Sequence, residues 1–147
     1  MELIIPASVR AEHEALYREL AAATREAGRI GEAARAVAEL LQPHFITEES
    51  LALPPLALLA PLARGERISG ASAVTAMTDK LRGELPRLFA EHRAIAAAAQ
   101  KLAEAAKGSG DGTHLGLAEK IASHARAEEE VFYPAAILVG EYLKAAL

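Results

Sequence analysis

The feature that most constrains the fold is a phrase written twice. From His44 to Pro54 the chain reads HFITEESLALP and from His124 to Pro134 it reads HARAEEEVFYP, each with Glu four residues and Pro ten residues after the histidine. A second pair precedes them. AEHEAL at Ala11–Leu16 matches AEHRAI at Ala90–Ile95, so that His13 to His44 is 31 residues and His92 to His124 is 32. A repeat of this length is one helical hairpin, which cannot bury its apolar face alone and packs on its copy about an approximate twofold axis. Such an axis is expected to bring the matching histidines together.

Composition agrees with helices. The 147 residues suffice for one domain, residues 1–147, with a real core. Alanine, leucine and glutamate dominate and aromatic residues are only 4%, which favours helix nearly everywhere. Punctuation predicts a first helix from a Ser8 cap to about Ala27, ended by Gly28, and a second from about Gly31 carrying His44. Arg64–Ser72 reads as a loop. A third helix then runs to Lys107, bent at Gly83 and Pro86, and GSGDGT at Gly108–Thr113 breaks the chain before a last helix capped by Thr113. Four helices with short connections predict an all-α, up-and-down four-helix bundle.

Several function classes fall away. A net charge of −4 with mixed signs gives no basic face for a phosphate backbone, so no nucleic-acid partner is expected. The chain has no cysteine, which removes disulfides and thiolate metal sites, is compatible with a reducing cytoplasm, and leaves nitrogen and oxygen as the ligands for any metal. The start MELIIPASVRAEHEAL lacks the basic end and cleavage site of a signal peptide. The most apolar run, Leu51–Ala63, carries three prolines and falls short of the about 20 residues that span a bilayer, so no membrane partner is expected.

The remaining chemistry lies in the repeated residues. Positions i and i+4 are about 40° apart on a helix, so His44 shares a face with Glu48, and His124 with Glu128. His13 heads a stripe of Leu16, Tyr17 and Leu20, and His92 one of Ile95, Ala96 and Ala99, both apolar and core-facing. A single histidine on such a stripe is ordinarily a hydrogen-bonded core residue, and a single His-x-x-x-Glu pair is ordinarily on the surface. Here four of five histidines fall at equivalent positions and two carry matching glutamates, which points to an inward cluster of four imidazoles and two carboxylates. Imidazole is a good ligand for iron, zinc or copper, and a carboxylate bridges two ions while offsetting their charge. Without cations, ionised carboxylates in an apolar interior cost several kcal/mol each. Glu49 and Glu129 lie at i+5, about 140° away, and are expected to face solvent or a neighbouring helix. His114 has no repeat partner and is expected to be exposed or near a cap, and not a ligand. Tyr17 is a candidate hydrogen-bond partner for a ligand or a bound oxygen species. Pro43, Pro54 and Pro134 read as simple helix kinks.

The motifs AEHEAL, HFITEE, AEHRAI and HARAEEEVFYP, in this order and spacing, resemble the hemerythrin-like family, the HHE cation-binding domains. The resemblance covers nearly the whole chain. It implies a four-helix bundle around two non-haem iron ions, with zinc or another transition metal as a substitute. The implied metal ligands are His13, His44, Glu48, His92, His124 and Glu128, with Glu129 in place of Glu128 if the pattern of oxygen carriers holds; the internal repeat favours Glu128. Those carriers also have a further histidine one turn after the third-helix histidine, where this chain has Ala96. The resemblance therefore implies a protein that senses or binds oxygen, nitric oxide or iron rather than one that carries oxygen. An oxidase- or peroxidase-type di-iron enzyme is the alternative, and a metal-free helical scaffold, self-associating through its apolar surfaces as a homo-oligomer, is the third.

Overall fold

The computed structural model describes residues 3–110 and 112–146; Asp111, within the expected break, lies outside the described residues. Helix α1 spans Ala7–Thr24, α2 Gly28–Leu51, a 3-10 turn Pro54–Leu58, α3 Leu59–Ala63, α4 Ala71–Ser109, α5 Gly112–Ala127, a π-helical segment Glu128–Phe132, and α6 Tyr133–Ala146. The last three form one rod. Four long antiparallel rods thus make the expected all-α bundle.

The ends differ in detail from the sequence expectation. Pro6, whose ring presets φ near the helical value, precedes α1, so Ser8 lies inside the first turn rather than capping it. Gly28 adopts φ +73° at the start of α2, in the left-handed region where a side chain is strained. Helix α4 runs unbroken through Gly83 and Pro86 and past Gly108, ending at Gly110 with φ +75°. Thr113 follows the first residue of α5 instead of preceding the helix.

Helix α1 packs on α2 and α5, and α4 packs on α2, α5 and α6. Their apolar stripes build two main core layers. One contains Leu16, Leu20, Val37, Leu41, Phe45, Ile95, Leu102, Leu117 and Ile121. The other contains Val9, Leu53, Leu56, Leu81, Leu88, Tyr133 and Ala136. Each long rod passes through both: α1 goes from Val9 to Leu16, α2 returns from Leu41 to Ala52, α4 goes from Leu88 to Ile95, and the last rod returns from Ile121 to Tyr133. The residues between these pairs are His13, His44 with Glu48, His92, and His124 with Glu128. A polar layer therefore lies between two apolar ones.

By length and composition alone, Gly28–Ala63 could cross a bilayer, with a mean hydropathy of 1.2 over its most apolar window. In the bundle this segment is divided at Ala52–Leu53 and at Leu58, and it delivers His44 and Glu48 to the core.

Candidate metal centre

The six repeated residues form one buried cluster. Glu48 is fully buried, Glu128 is 1% exposed, and the four histidines are between 1% and 5% exposed. Their inward atoms group in two overlapping sets: His13, His124, Glu48 and Glu128 form one, and His44, His92, Glu48 and Glu128 the other, the ligating atoms within each lying within 4.8 Å of one another. The histidines that match in sequence are in different sets. Neighbouring rings are His13 with His124, centroids 4.8 Å apart, and His44 with His92, 4.6 Å apart. The twofold axis thus exchanges the sets, and each set takes one histidine from each half of the chain.

Glu128 connects them. Its Oε1 lies 3.0 Å from His92 Nε2 and 3.9 Å from His44 Nε2. Its Oε2 lies 3.0 Å from His124 Nε2 and 3.4 Å from His13 Nε2. Glu48 turns Oε1 toward His44 Nε2 at 3.4 Å and His13 Nε2 at 3.7 Å.

The outer nitrogens are held by a second ring of glutamates. Nδ1 of His44 is 2.8 Å from Glu91 Oε1, and Nδ1 of His124 is 2.6 Å from Glu12 Oε1. Nδ1 of His92 is 2.6 Å from Glu129 Oε2, and Nδ1 of His13 is 3.3 Å from Glu49 Oε1. An ionised carboxylate only accepts, so each imidazole donates outward through Nδ1 and presents Nε2 to the centre. This arrangement orients a histidine for a metal and raises its basicity. Glu12 and Glu91 escaped the sequence reading, although each immediately precedes a repeated histidine and the signal was in AEH itself. They serve the histidine of the adjacent helix, so no spacing along one helix reveals them. Glu129 occupies this outer ring, facing His92 Nδ1, while Glu128 faces inward.

Fit to a cation can be judged from the polar atoms. His44 Nε2, His124 Nε2 and Glu48 Oε1 are buried with no hydrogen-bond partner, and all three point into the cluster. Orphaned buried groups are rare because each forfeits its solvation. Burial pushes the Glu48 carboxyl well above its ordinary range, and the nearby Glu128 carboxylate acts in the same direction. At Glu128 burial acts the same way, but the adjoining Glu48 carboxyl and the imidazoles of His124, His13 and His44 outweigh it and hold that carboxylate well below its ordinary range. Burial lowers His92 and His124, but the surrounding glutamates outweigh it and raise both. Protons here do what cations would do better, and the nitrogen and oxygen donors suit a first-row transition metal.

Aromatic side chains close the two sides of the layer. Phe45 stacks on the His13 ring at 3.9 Å and 11°, and Tyr17 packs edge-on against Phe45 at 4.9 Å. The hydroxyl that reaches a glutamate belongs instead to Tyr133, which donates to Glu48 Oε2 at 2.5 Å and stacks on His92. Burial and then Glu48 raise the Tyr133 phenol far above its ordinary value, so it remains a donor. His114 lies near a helix start, the second of the two places expected for it, and is buried there, its Nε2 3.5 Å from Glu26 Oε1, because the bundle closes over the first turn of α5. One further expectation is corrected. Ala96 is exposed and lines a groove between α4 and α5, because the inward position one turn after His92 is Ile95.

No curated protein and no solved structure matches the chain. One family model does, that of the hemerythrin HHE cation-binding domain, over residues 5–136. With that match covering nearly the whole chain, and a buried histidine–glutamate cluster in a four-helix bundle, the protein belongs to the hemerythrin HHE cation-binding family.

Proposed function

We propose that the cluster holds two iron ions and that the protein binds or senses oxygen or nitric oxide there rather than carrying oxygen. The observation that carries this reading is the pair of four-residue sets sharing Glu48 and Glu128, with orphaned nitrogen and oxygen atoms aimed inward. His13 and His124 would hold one ion and His44 and His92 the other. When bound, ferrous ions supply coordination positions and electrons for a diatomic ligand. The chain orients the imidazoles through the outer glutamates and keeps bulk water out with Phe45, Tyr133 and the apolar layers on either side.

The space beside the cluster suits a small ligand. A cavity of about 10 Å³ is bounded by Leu16, Leu41, Phe45, Ile95 and Ile121 on one side and by His44, His92, His124 and Glu128 on the other. That volume is at the lower limit for one water-sized molecule. It favours a diatomic molecule over an organic substrate. Ile95 and Ala96 offer no fifth imidazole beyond His92, which supports ligand binding or sensing over reversible carriage.

Protein from iron-replete cells is expected to contain close to two ions per chain, predominantly iron, and to take up nitric oxide stoichiometrically once reduced. Elemental analysis checks the first expectation. Less than about a tenth of an ion per chain after anaerobic ferrous reconstitution overturns the reading, since closed structural or catalytic sites fill under such conditions.

The outer glutamates provide a separate test. Glu12→Ala and Glu91→Ala should each weaken metal binding by about 10- to 100-fold, the usual effect of removing a carboxylate behind a histidine ligand. Competition with a chromophoric chelator measures this. The exposed Glu39→Ala is the control, and equal affinity in all three variants would show that the outer ring does not support a metal.

A further inference from the structure

Glu48 and Glu128 are equivalent in the repeat, yet the fold treats them differently. We infer that Tyr133 confines Glu48 to a single free oxygen, so that Glu48 can join two ions only through Oε1 while Glu128 spans them with one oxygen each. The inference rests on the proposed two-metal reading.

The argument begins with the backbone. The carbonyl of Glu48 accepts from the amide of Leu53 at 2.9 Å, and the carbonyl of Glu128 accepts from the amide of Tyr133. Both are i to i+5 bonds: at Glu128 the bond belongs to the π-helical segment, while at Glu48, whose carbonyl also accepts from Ala52 at 2.8 Å, it closes the C-terminus of α2. The cause is the residue that follows each. Pro54 and Pro134 have no amide hydrogen, and in an α-helix their rings crowd the carbonyl four residues earlier, at Ser50 and Glu130. Widening the turn relieves that clash. In a regular helix a residue five positions after the glutamate points about 140° away from it. The wide turn brings Tyr133 back to the cluster, and Leu53 and Tyr133 are both fully buried. The proline of the second half therefore serves to turn one extra side chain toward the centre.

The two halves then diverge. Leucine has no polar atom, so Glu128 receives nothing from Leu53. Tyr133 crosses to the other glutamate and donates to Glu48 Oε2 at 2.5 Å, with its oxygen also 3.4 Å from His92 Nε2. The remaining oxygen, Oε1, is the orphaned one that lies between His44 and His13. Glu128 faces one set with Oε1 and the other with Oε2. Two carboxylates at equivalent positions of the repeat thus present one and two oxygens, and the difference traces to one hydroxyl. Tyr133 acts as a positioning residue through Glu48.

The test uses X-ray absorption of anaerobic diferrous wild type, Tyr133→Phe and Phe132→Leu, with metal content measured on the same samples. A single-oxygen bridge draws two ions together. Tyr133→Phe frees Oε2, so its iron–iron distance should lengthen by a few tenths of an ångström, toward the upper end of the roughly 3.5–4 Å span of two-metal sites. Wild type and Phe132→Leu, which alters only packing beside the tyrosine, should share the shorter distance, and all three should retain two ions. An unchanged distance in Tyr133→Phe with two ions bound overturns the inference and leaves the metal reading standing. Loss of iron in Tyr133→Phe alone also overturns it, because the hydroxyl would then be needed for retention and not for the bridge. Wild type without an iron pair overturns both, and metal content identifies that case.

Discussion

Glu128→Gln should emerge from iron-replete cells with almost no metal, where the wild type holds close to two ions. Every inward histidine nitrogen lies within reach of this carboxylate, at 3.0 Å for His92 and His124, 3.4 Å for His13 and 3.9 Å for His44. Among the described residues, no other group contacts both sets with separate oxygens. Glutamine preserves the shape and removes the charge, leaving Glu48 as the one inward carboxylate against two divalent cations. Uncompensated charge in a dry interior costs several kcal/mol per ion even after relaxation. Each kcal/mol counts about fivefold in affinity, so a loss of several is enough to empty the site at micromolar metal. Glu130→Gln, exposed two residues on, should retain both ions. Circular dichroism would establish that both variants are helical. A folded Glu128→Gln protein with two tightly held ions would refute the bridging role.

Removing metal should lower the melting temperature, and by more at higher pH. A metal that binds only the folded protein adds about 2.7 kcal/mol at a hundred times its dissociation constant. For a chain of this size each kcal/mol is worth roughly 2–4 °C, so the expected gap between loaded and chelated protein is about 5–11 °C. Its pH dependence follows from the direction of each shift in the metal-free protein. Glu48, His92 and His124 are raised, so the stability they contribute is complete below their unfolded values and is lost as pH rises through their folded ones. For the histidines that loss begins above the ordinary value of 6.5. Glu128 is lowered, so its contribution is present above its ordinary value of 4.5 and fades only in acid. Between about pH 6.5 and 8, then, the two histidines weaken the metal-free protein and none of the four groups strengthens it. Over the same range metal binds more tightly, because fewer protons must leave the ligands. Calorimetry of loaded and chelated samples at about pH 6 and 8 should show the gap widening. A constant or narrowing gap would refute this account, and a gap of zero would remove the metal site with it.

The layout of the centre shows why some positions were legible from spacing and others were not. Helical periodicity puts His44 with Glu48 and His124 with Glu128 on one face; α2 runs regularly through the first pair, and α5 is regular from His124 to Ala127, just before Glu128. The same rule separates Glu129 from Glu128, and in the bundle they face His92 from opposite nitrogens. Periodicity misled at Ala96, because positions three and four after His92 both lie near its face and only the packing of α4 against its neighbours selects Ile95 as the buried one. At His114 the sequence left two places open, exposed or near a cap, and only the packing of the end of α1 over the start of α5 decided that it is near the helix start and buried.

The amino-acid sequence by itself determined that the chain is helical, that it is a doubled hairpin, and which faces carry the four histidines and two glutamates. Those properties depend on spacing within single helices, and spacing is written in the chain. Three things were decided only by tertiary structure: the pairing of His13 with His124 and His44 with His92, the reach of Glu12 and Glu91 to histidines on other helices, and the donation of Tyr133 to Glu48 across the bundle. Each joins residues between 47 and 112 positions apart, and the last also depends on a π-turn that breaks the 3.6-residue period; no rule along one helix can express a contact set by how four helices meet.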